Sequence, residues 1–149
     1  MRIRCADQAL KQALARALPD EDEPQNGLVF VVREGFADWQ ATEDELAEAF
    51  TLTKEAVVAN GPVVYVVTTA NLLGRGEPLD AAVADGLLAG ARGVAFERKK
   101  YSGYASIVAA EACTSPESVA LAVDALLATR GSNGQPFVLG DEHLGAALP

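Results

Sequence analysis

The chain has 149 residues and a mass of 15.5 kDa, a size for one domain rather than two. Lys and Arg number 12 against 21 Asp and Glu, so the net charge is −9. That acidity repels phosphate backbones and anionic lipid, which sets aside nucleic acid and membrane surfaces as partners. Half of the residues are hydrophobic, too many for a disordered chain.

Two cysteines, Cys5 and Cys113, stand far apart and outside any Cys-x-x-Cys pair, and the single histidine is His143. A structural zinc site is therefore not expected, and the thiols read as reduced. No apolar signal region opens the chain, and no apolar run reaches membrane length, so the expected setting is soluble and cytoplasmic.

Arg2–Cys5 is a short strand candidate. Asp7–Leu18 reads as a helix: Leu10, Leu14 and Leu18 share a face, Asp7 can cap the start, and Pro19 stops it. Pro19–Asn26 is acidic and Pro-containing, hence a solvated loop. Leu28–Val32 is an unbroken apolar run, the mark of a strand buried on both faces. Thr42 and Glu45 have the spacing of a T-x-x-E capping box, which predicts a helix from Thr42 to about Ala59, ended by Asn60-Gly61-Pro62. Val63–Val67 is a second fully apolar strand, expected beside Leu28–Val32 at the centre of the sheet. Leu79–Glu97 is a helix apolar around most of its circumference, with Gly86 and Gly90 four apart for a close contact with a helix, a subunit or the sheet. Tyr104–Ala110 is a third strand. Ser115-Pro116-Glu117 starts a helix that runs to about Thr129, and Pro136–Leu139 is a last strand. This alternation predicts one three-layer α/β domain over residues 1–149, with a mostly parallel sheet and helices on both faces.

In such sheets ligands sit beyond the carboxyl ends of the strands. The candidate ligand residues are therefore Arg33, Glu34, Thr68, Thr69 and Asn71, with Glu111 and Cys113 nearby. Thr68 and Thr69 either hydrogen-bond a ligand or finish the strand. Glu34 is a base, a partner for Arg33 or a solvated charge. Lys99, Lys100, Tyr101 and Tyr104 form a basic, aromatic cluster. Adjacent Lys100 and Tyr101 lack the spacing of a proton-donating pair on one helix face, and they read as a solvated helix end. His143, between acidic neighbours, reads as an exposed tail residue. No glycine-rich phosphate cradle follows the first strand, where the sequence is Cys5-Ala6-Asp7-Gln8.

From Gly27 to Leu144 the order of elements resembles the second half of the short-chain dehydrogenase/reductase fold. The residues that carry the likeness are Leu28–Val32, Val63–Val67 with Thr68-Thr69, the helix segment Asp85–Glu97, and Gly134-Gln135-Pro136-Phe137-Val138. The resemblance implies a truncated Rossmann-like domain, with residues 1–26 as an N-terminal helix and acidic loop and 27–144 as the reductase-like core. It places the family's serine on Thr69 and its tyrosine and lysine near Asp80 and Ala84, so the catalytic pair is lost. No catalytic residue, metal or cofactor is expected. The chain is also similar to the non-catalytic structural subdomain beside active ketoreductases in modular polyketide synthases. The resulting expectation is a structural, binding or assembly module. Its partner is a second copy, through Leu87, Gly90 and Val94, or a related active reductase. The alternative is a minimal NAD(P)-dependent reductase acting on a carbonyl or hydroxyl, with Thr69 and a donor such as Tyr101 or Tyr104.

Overall fold

The structure is a computed structural model that describes residues 1–18, 23–101 and 103–141. Its elements in chain order are β1 (Arg2–Arg4), α1 (Gln8–Ala17), β2 (Leu28–Val31), α2 (Trp39–Val58), β3 (Val63–Thr68), α3 (Thr69–Leu72), α4 (Pro78–Glu97), β4 (Ala105–Ala110), α5 (Pro116–Thr129) and β5 (Pro136–Leu139). Single 3-10 turns lie at Pro24–Asn26 and Lys99–Tyr101. Pro19 and His143 lie outside the described residues.

The five strands form one all-parallel sheet in the order β1-β2-β3-β4-β5. β2 and β3 are neighbours and neither is an edge, as their unbroken apolar runs require. Alternate residues of each strand enter opposite cores. Leu28, Phe30, Val63, Tyr65 and Ile107 pack beneath α2 and α4. Val29, Val64, Val66 and Val108 pack beneath α1 and α5. β1 and α1 are thus a strand and a covering helix of the same sheet as the rest.

This arrangement has a topological consequence. Every connection steps one strand in the same direction, yet two cross above the sheet and two below. The α1 and α5 crossovers therefore have the opposite hand to those through α2 and α4, although one hand accounts for nearly all such units. The chain accepts this because each covering helix has its own apolar stripe to bury. In return, successive loops leave the carboxyl edge toward opposite faces, after β1 and β2 and again after β3 and β4. Between them they open a crevice.

The helix starts follow side-chain chemistry. Asp7 Oδ1 accepts from the Leu10 amide at 2.8 Å, and Ser115 caps α5 through the Ser118 amide. The capping box expected at Thr42 and Glu45 is overturned. Asp38 caps the helix through the Ala41 amide at 2.9 Å, so α2 begins one turn earlier. Thr42 and Glu45 then fall inside it and are buried. The left-handed Asn60 lies just past the end of α2, and left-handed Arg130 caps α5. Gly86 and Gly90 serve a contact within the chain: a Cβ on them would come within 3.1 Å of Leu46 and 2.8 Å of Phe50, both on α2. Among the described residues no helix is long and apolar enough to cross a membrane.

Candidate functional site at the carboxyl edge of the sheet

The crevice holds a cavity of about 550 Å³, within the size range of small-molecule sites. Its floor is the apolar ends of β2, β3 and β4, and α1 and α5 close one side through Leu10 and Val119. Polar groups line the rim: Asp7, Arg33, Glu34, Thr68, Asn71, Asp80 and Glu111. A smaller cavity of about 290 Å³ continues from it past Thr69 and Arg75.

The loop after β2 is fixed on both flanks. Glu34 Oε1 accepts from Thr68 Oγ1 at 2.7 Å and from Asn71 Nδ2 at 2.8 Å. It is therefore not a partner of Arg33; it is exposed to solvent and hydrogen-bonded at the same time. Asp80, in the first turn of α4, accepts from the amides of Gly35 at 3.0 Å and Phe36 at 3.1 Å. Gly35 has φ +77°, which lets two successive amides face one carboxylate. The family resemblance puts a catalytic tyrosine near Asp80. Here Asp80 is an acceptor spent on backbone.

Arg33 turns away from Glu34 to Glu45. Its amide and Nε donate to the Glu45 carboxylate at 3.0 and 2.7 Å, and its terminal nitrogen lies 2.6 Å from it. Arg4, from β1, reaches the same carboxylate at 2.8 and 2.5 Å and Glu48 at 2.7 Å, and it lies 4.4 Å from the Phe30 ring centre. Glu45 has no exposed surface, so two guanidinium groups balance a fully buried charge. Burial works against the Arg4 charge, but hydrogen bonds to Glu48 and Glu45 outweigh it and hold its pKa above the usual value. The Arg4 hydrogen bond lowers the Glu48 pKa in turn. This cluster fastens β1, β2 and α2 together under the cavity.

Thr69 opens α3 and is 3% exposed. Its Oγ1 is the one buried side-chain oxygen or nitrogen among the described residues without a hydrogen-bond partner. Of the expected ligand residues, the structure brings Glu34, Thr68 and Asn71 into one network with Thr69 beside it, and ties the half-exposed Arg33 side chain to the buried Glu45. Glu111 lies near, with the Cys113 thiol 3.6 Å from its Oε2. Both cysteines are free, and burial pushes the Cys5 thiol up. Asp80 and Glu45 were not among the expected site residues. The signal for Asp80 is an acid at the third position of a helix that follows a glycine loop. For Glu45 it is an acid four residues after Ala41 on an otherwise inward face.

The basic cluster lies elsewhere. Lys99–Tyr101 and Tyr104 precede β4, at the amino edge of the sheet. Tyr104 donates to the Gly131 carbonyl at 2.7 Å, and burial raises its pKa. Arg98 lies over the Tyr101 ring. Leu87, expected at a subunit contact, is fully buried against the sheet, while Gly90 and Val94 are half-buried. Among the described residues no group of His, Cys, Asp and Glu has the arrangement of a metal site.

No family model matches the sequence, and no curated protein matches it. Solved structures do match. A short-chain dehydrogenase from Burkholderia cenocepacia in complex with NADP is 17% identical, with a TM-score of 0.57 over 75% of this chain and 62% of that one. BdcA in complex with NADPH is 16% identical, with a TM-score of 0.60 over 95% of this chain and 76% of its own. A 4-hydroxyisoleucine dehydrogenase complexed with NADH and succinate is 13% identical, with a TM-score of 0.62 over 87% of this chain and 71% of its own. The chain spans less than two thirds of the length of the first. By architecture it is a truncated Rossmann-like α/β domain with the fold of these dehydrogenases.

Proposed function

We propose that the chain is a non-catalytic reductase-like domain that works as a structural and assembly module. In this it is similar to the subdomain that accompanies active ketoreductases in modular polyketide synthases. The observation that carries the reading is the turn between β1 and α1. A dinucleotide needs bare amides at a helix start and glycines that let the pyrophosphate approach. Here the turn is Cys5-Ala6-Asp7, and the Asp7 carboxylate already caps the helix. A fixed negative charge stands where a phosphate would have to bind. The proton-donor place on α4 lies near Asp80, spent on Gly35 and Phe36. Tyr101 and Tyr104 are at the opposite edge of the sheet from the cavity, which counts against the minimal-reductase alternative. What remains at the carboxyl edge is a binding cavity rimmed by Glu34, Thr68, Thr69 and Asn71. The partner in assembly is a second copy or a related active reductase.

Calorimetric titration with NADPH and with NADH tests this. No saturable heat is expected up to millimolar cofactor. Saturable binding in the tens of micromolar, or turnover of any carbonyl substrate, overturns it.

A further inference from the structure

We infer that the carboxyl-edge cavity takes an organic ammonium ion: a protonated amine with its head in the smaller cavity and an apolar body over the floor of the larger one. This rests on the non-catalytic reading, which leaves the cavity to a ligand other than a dinucleotide.

Charge selects the class of ligand. Asp7, Glu34, Asp80 and Glu111 line the larger cavity, and the last three line the smaller one as well. Arg33, at the larger cavity, is tied to Glu45. Arg75 and Glu111, opposite in sign, both line the smaller cavity and have interactions of their own. Glu34 and Asp80 differ from these: among the described residues neither pairs with a cation. Glu34 accepts from Thr68 and Asn71, and Asp80 from the Gly35 and Phe36 amides, all neutral donors. Asp80 is nonetheless only 6% exposed. A buried carboxylate is ordinarily matched by a positive charge. Glu45 shows that match within this chain, with Arg4 and Arg33 on one carboxylate. At Asp80 the matching cation has to come from outside.

Thr69 adds an observation independent of charge. It lines the smaller cavity, and its Oγ1 is buried without a partner. A hydroxyl so desolvated gains a hydrogen bond when a donor enters beside it. An ammonium presents three N–H donors and no acceptor. The smaller cavity offers acceptors to match. Glu34 gives only Oε1 to Thr68 and Asn71, Asp80 Oδ2 only shares the Gly35 amide with Oδ1, and Thr69 Oγ1 is unused. A phosphate or carboxylate would meet like charge there, and a neutral alcohol would leave Asp80 unmatched. The smaller cavity, about 290 Å³, suits the head and the first carbons. The larger, about 550 Å³, has Val31, Val67 and Ala110 on its floor and Leu10 and Val119 at its side, a bed for the apolar remainder.

The test is calorimetric titration of the whole chain at neutral pH with three probes that share one body: 2-phenylethylamine, 2-phenylethanol and 3-phenylpropionate. The amine should bind saturably, the alcohol about tenfold more weakly and the acid not at all. Glu34→Gln and Asp80→Asn should each weaken the amine by about tenfold. Thr69→Val should weaken it by about fivefold while leaving the free protein nearly as stable. Glu43→Gln, at an exposed acid of α2 outside both cavities, should leave it unchanged. Circular dichroism shows which variants fold, and if Asp80→Asn does not, Glu34→Gln and Thr69→Val decide. An alcohol or acid that binds as tightly as the amine overturns the proposal. So does an amine without saturable binding at millimolar concentration. Amine binding that Glu34→Gln and Thr69→Val leave unchanged overturns it too, as attraction to an acidic surface alone. If neither NADPH nor the amine binds, this proposal falls and the non-catalytic reading stands. Saturable NADPH binding removes that reading, and the charge series still decides the amine.

Discussion

On the α1/α5 side of the sheet, Val29, Val64, Val66 and Val108 meet Leu14, Val119, Val123 and Leu126, and Tyr104 spends its hydroxyl on a loop carbonyl. On the α2/α4 side the same strands present Leu28, Phe30, Tyr65 and Ile107 to helices that also bury Glu45, Thr42, Thr53 and Asp80. Apolar burial is non-directional: it rewards area and tolerates small shifts of one helix over another. A buried carboxylate held by Arg4 and Arg33 is directional and tolerates none. The polar side anchors the loop after β2, whereas the carboxyl-edge cavity lies between the two sides and is closed on one flank by Leu10 and Val119. The difference teaches that the cavity's shape rests on a few fixed polar contacts, whereas the fold's stability is spread over both cores.

The sharpest way to break that comparison is one large substitution on each side. Glu45→Ala strands two guanidinium groups in a part-buried site and should cost about 3–5 kcal/mol. Leu14→Ala opposite opens an apolar void and should cost about 3 kcal/mol. Urea unfolding gives both values. The amide of Arg33 distinguishes them further, because only loss of Glu45 removes its acceptor and speeds its hydrogen exchange. If Glu45→Ala costs less than about 1 kcal/mol, the cluster behaves as an exposed ion pair and the two sides do not differ as described.

A smaller effect sharpens the same contrast through pH. Tyr65 is fully buried on the polar side, and its hydroxyl lies 2.6 Å from Thr53 Oγ1. Burial pushes its pKa from 10 to about 12, against a downward pull from the Thr53 hydrogen bond. A raised pKa means that its contribution is complete below pH 10, where the unfolded chain also keeps the proton. It is lost as pH rises toward 12, because the unfolded phenol ionises first. Linkage makes the loss about 2–3 kcal/mol. Denaturation curves at pH 9 and pH 11.5 measure it, and Tyr65→Phe should flatten the difference. An unchanged slope in that variant would assign the alkaline loss to other groups.

Much of this architecture was legible in the residues. Apolar runs such as Val63–Val67 are too short to cross a membrane and read as buried strands, and Asp7 and Ser115 are caps whose partners lie three residues away. Contacts between distant segments were not legible. Thr42 and Glu45 match a capping box by spacing, and only the three-dimensional path shows that Asp38 takes the cap and frees Glu45 for two arginines, Arg4 on β1 and Arg33 in the loop after β2. Glu34 is exposed, but the hydrogen bonds it accepts were not legible because Thr68 and Asn71 follow a different strand. Asp80 reads as an ordinary first-turn acid until the Gly35 and Phe36 amides arrive from a loop far earlier in the chain. The handedness of the crossovers left no local trace, since a helix stripe does not encode the face of the sheet it will cover.

The smallest expected effect falls on Thr69, at the wall of the carboxyl-edge cavity. Thr69 stands where the family resemblance puts a catalytic serine, yet its Oγ1 is buried without a partner. A hydroxyl in that state contributes its methyl and carbons to packing and returns nothing for the desolvation of its oxygen. Valine has nearly the same shape and is acceptable in the first turn of so short a helix as α3. Thr69→Val should therefore change stability by no more than about 1 kcal/mol, in either direction, with gain the expected sign. Thr53→Val is the control, because there the hydroxyl is spent on Tyr65 and its loss leaves the phenol unpaired. That variant should be the less stable of the two. A Thr69→Val protein that loses more than Thr53→Val would show that Oγ1 holds a group in solution, and the carboxyl-edge cavity would then have a working hydroxyl at its wall.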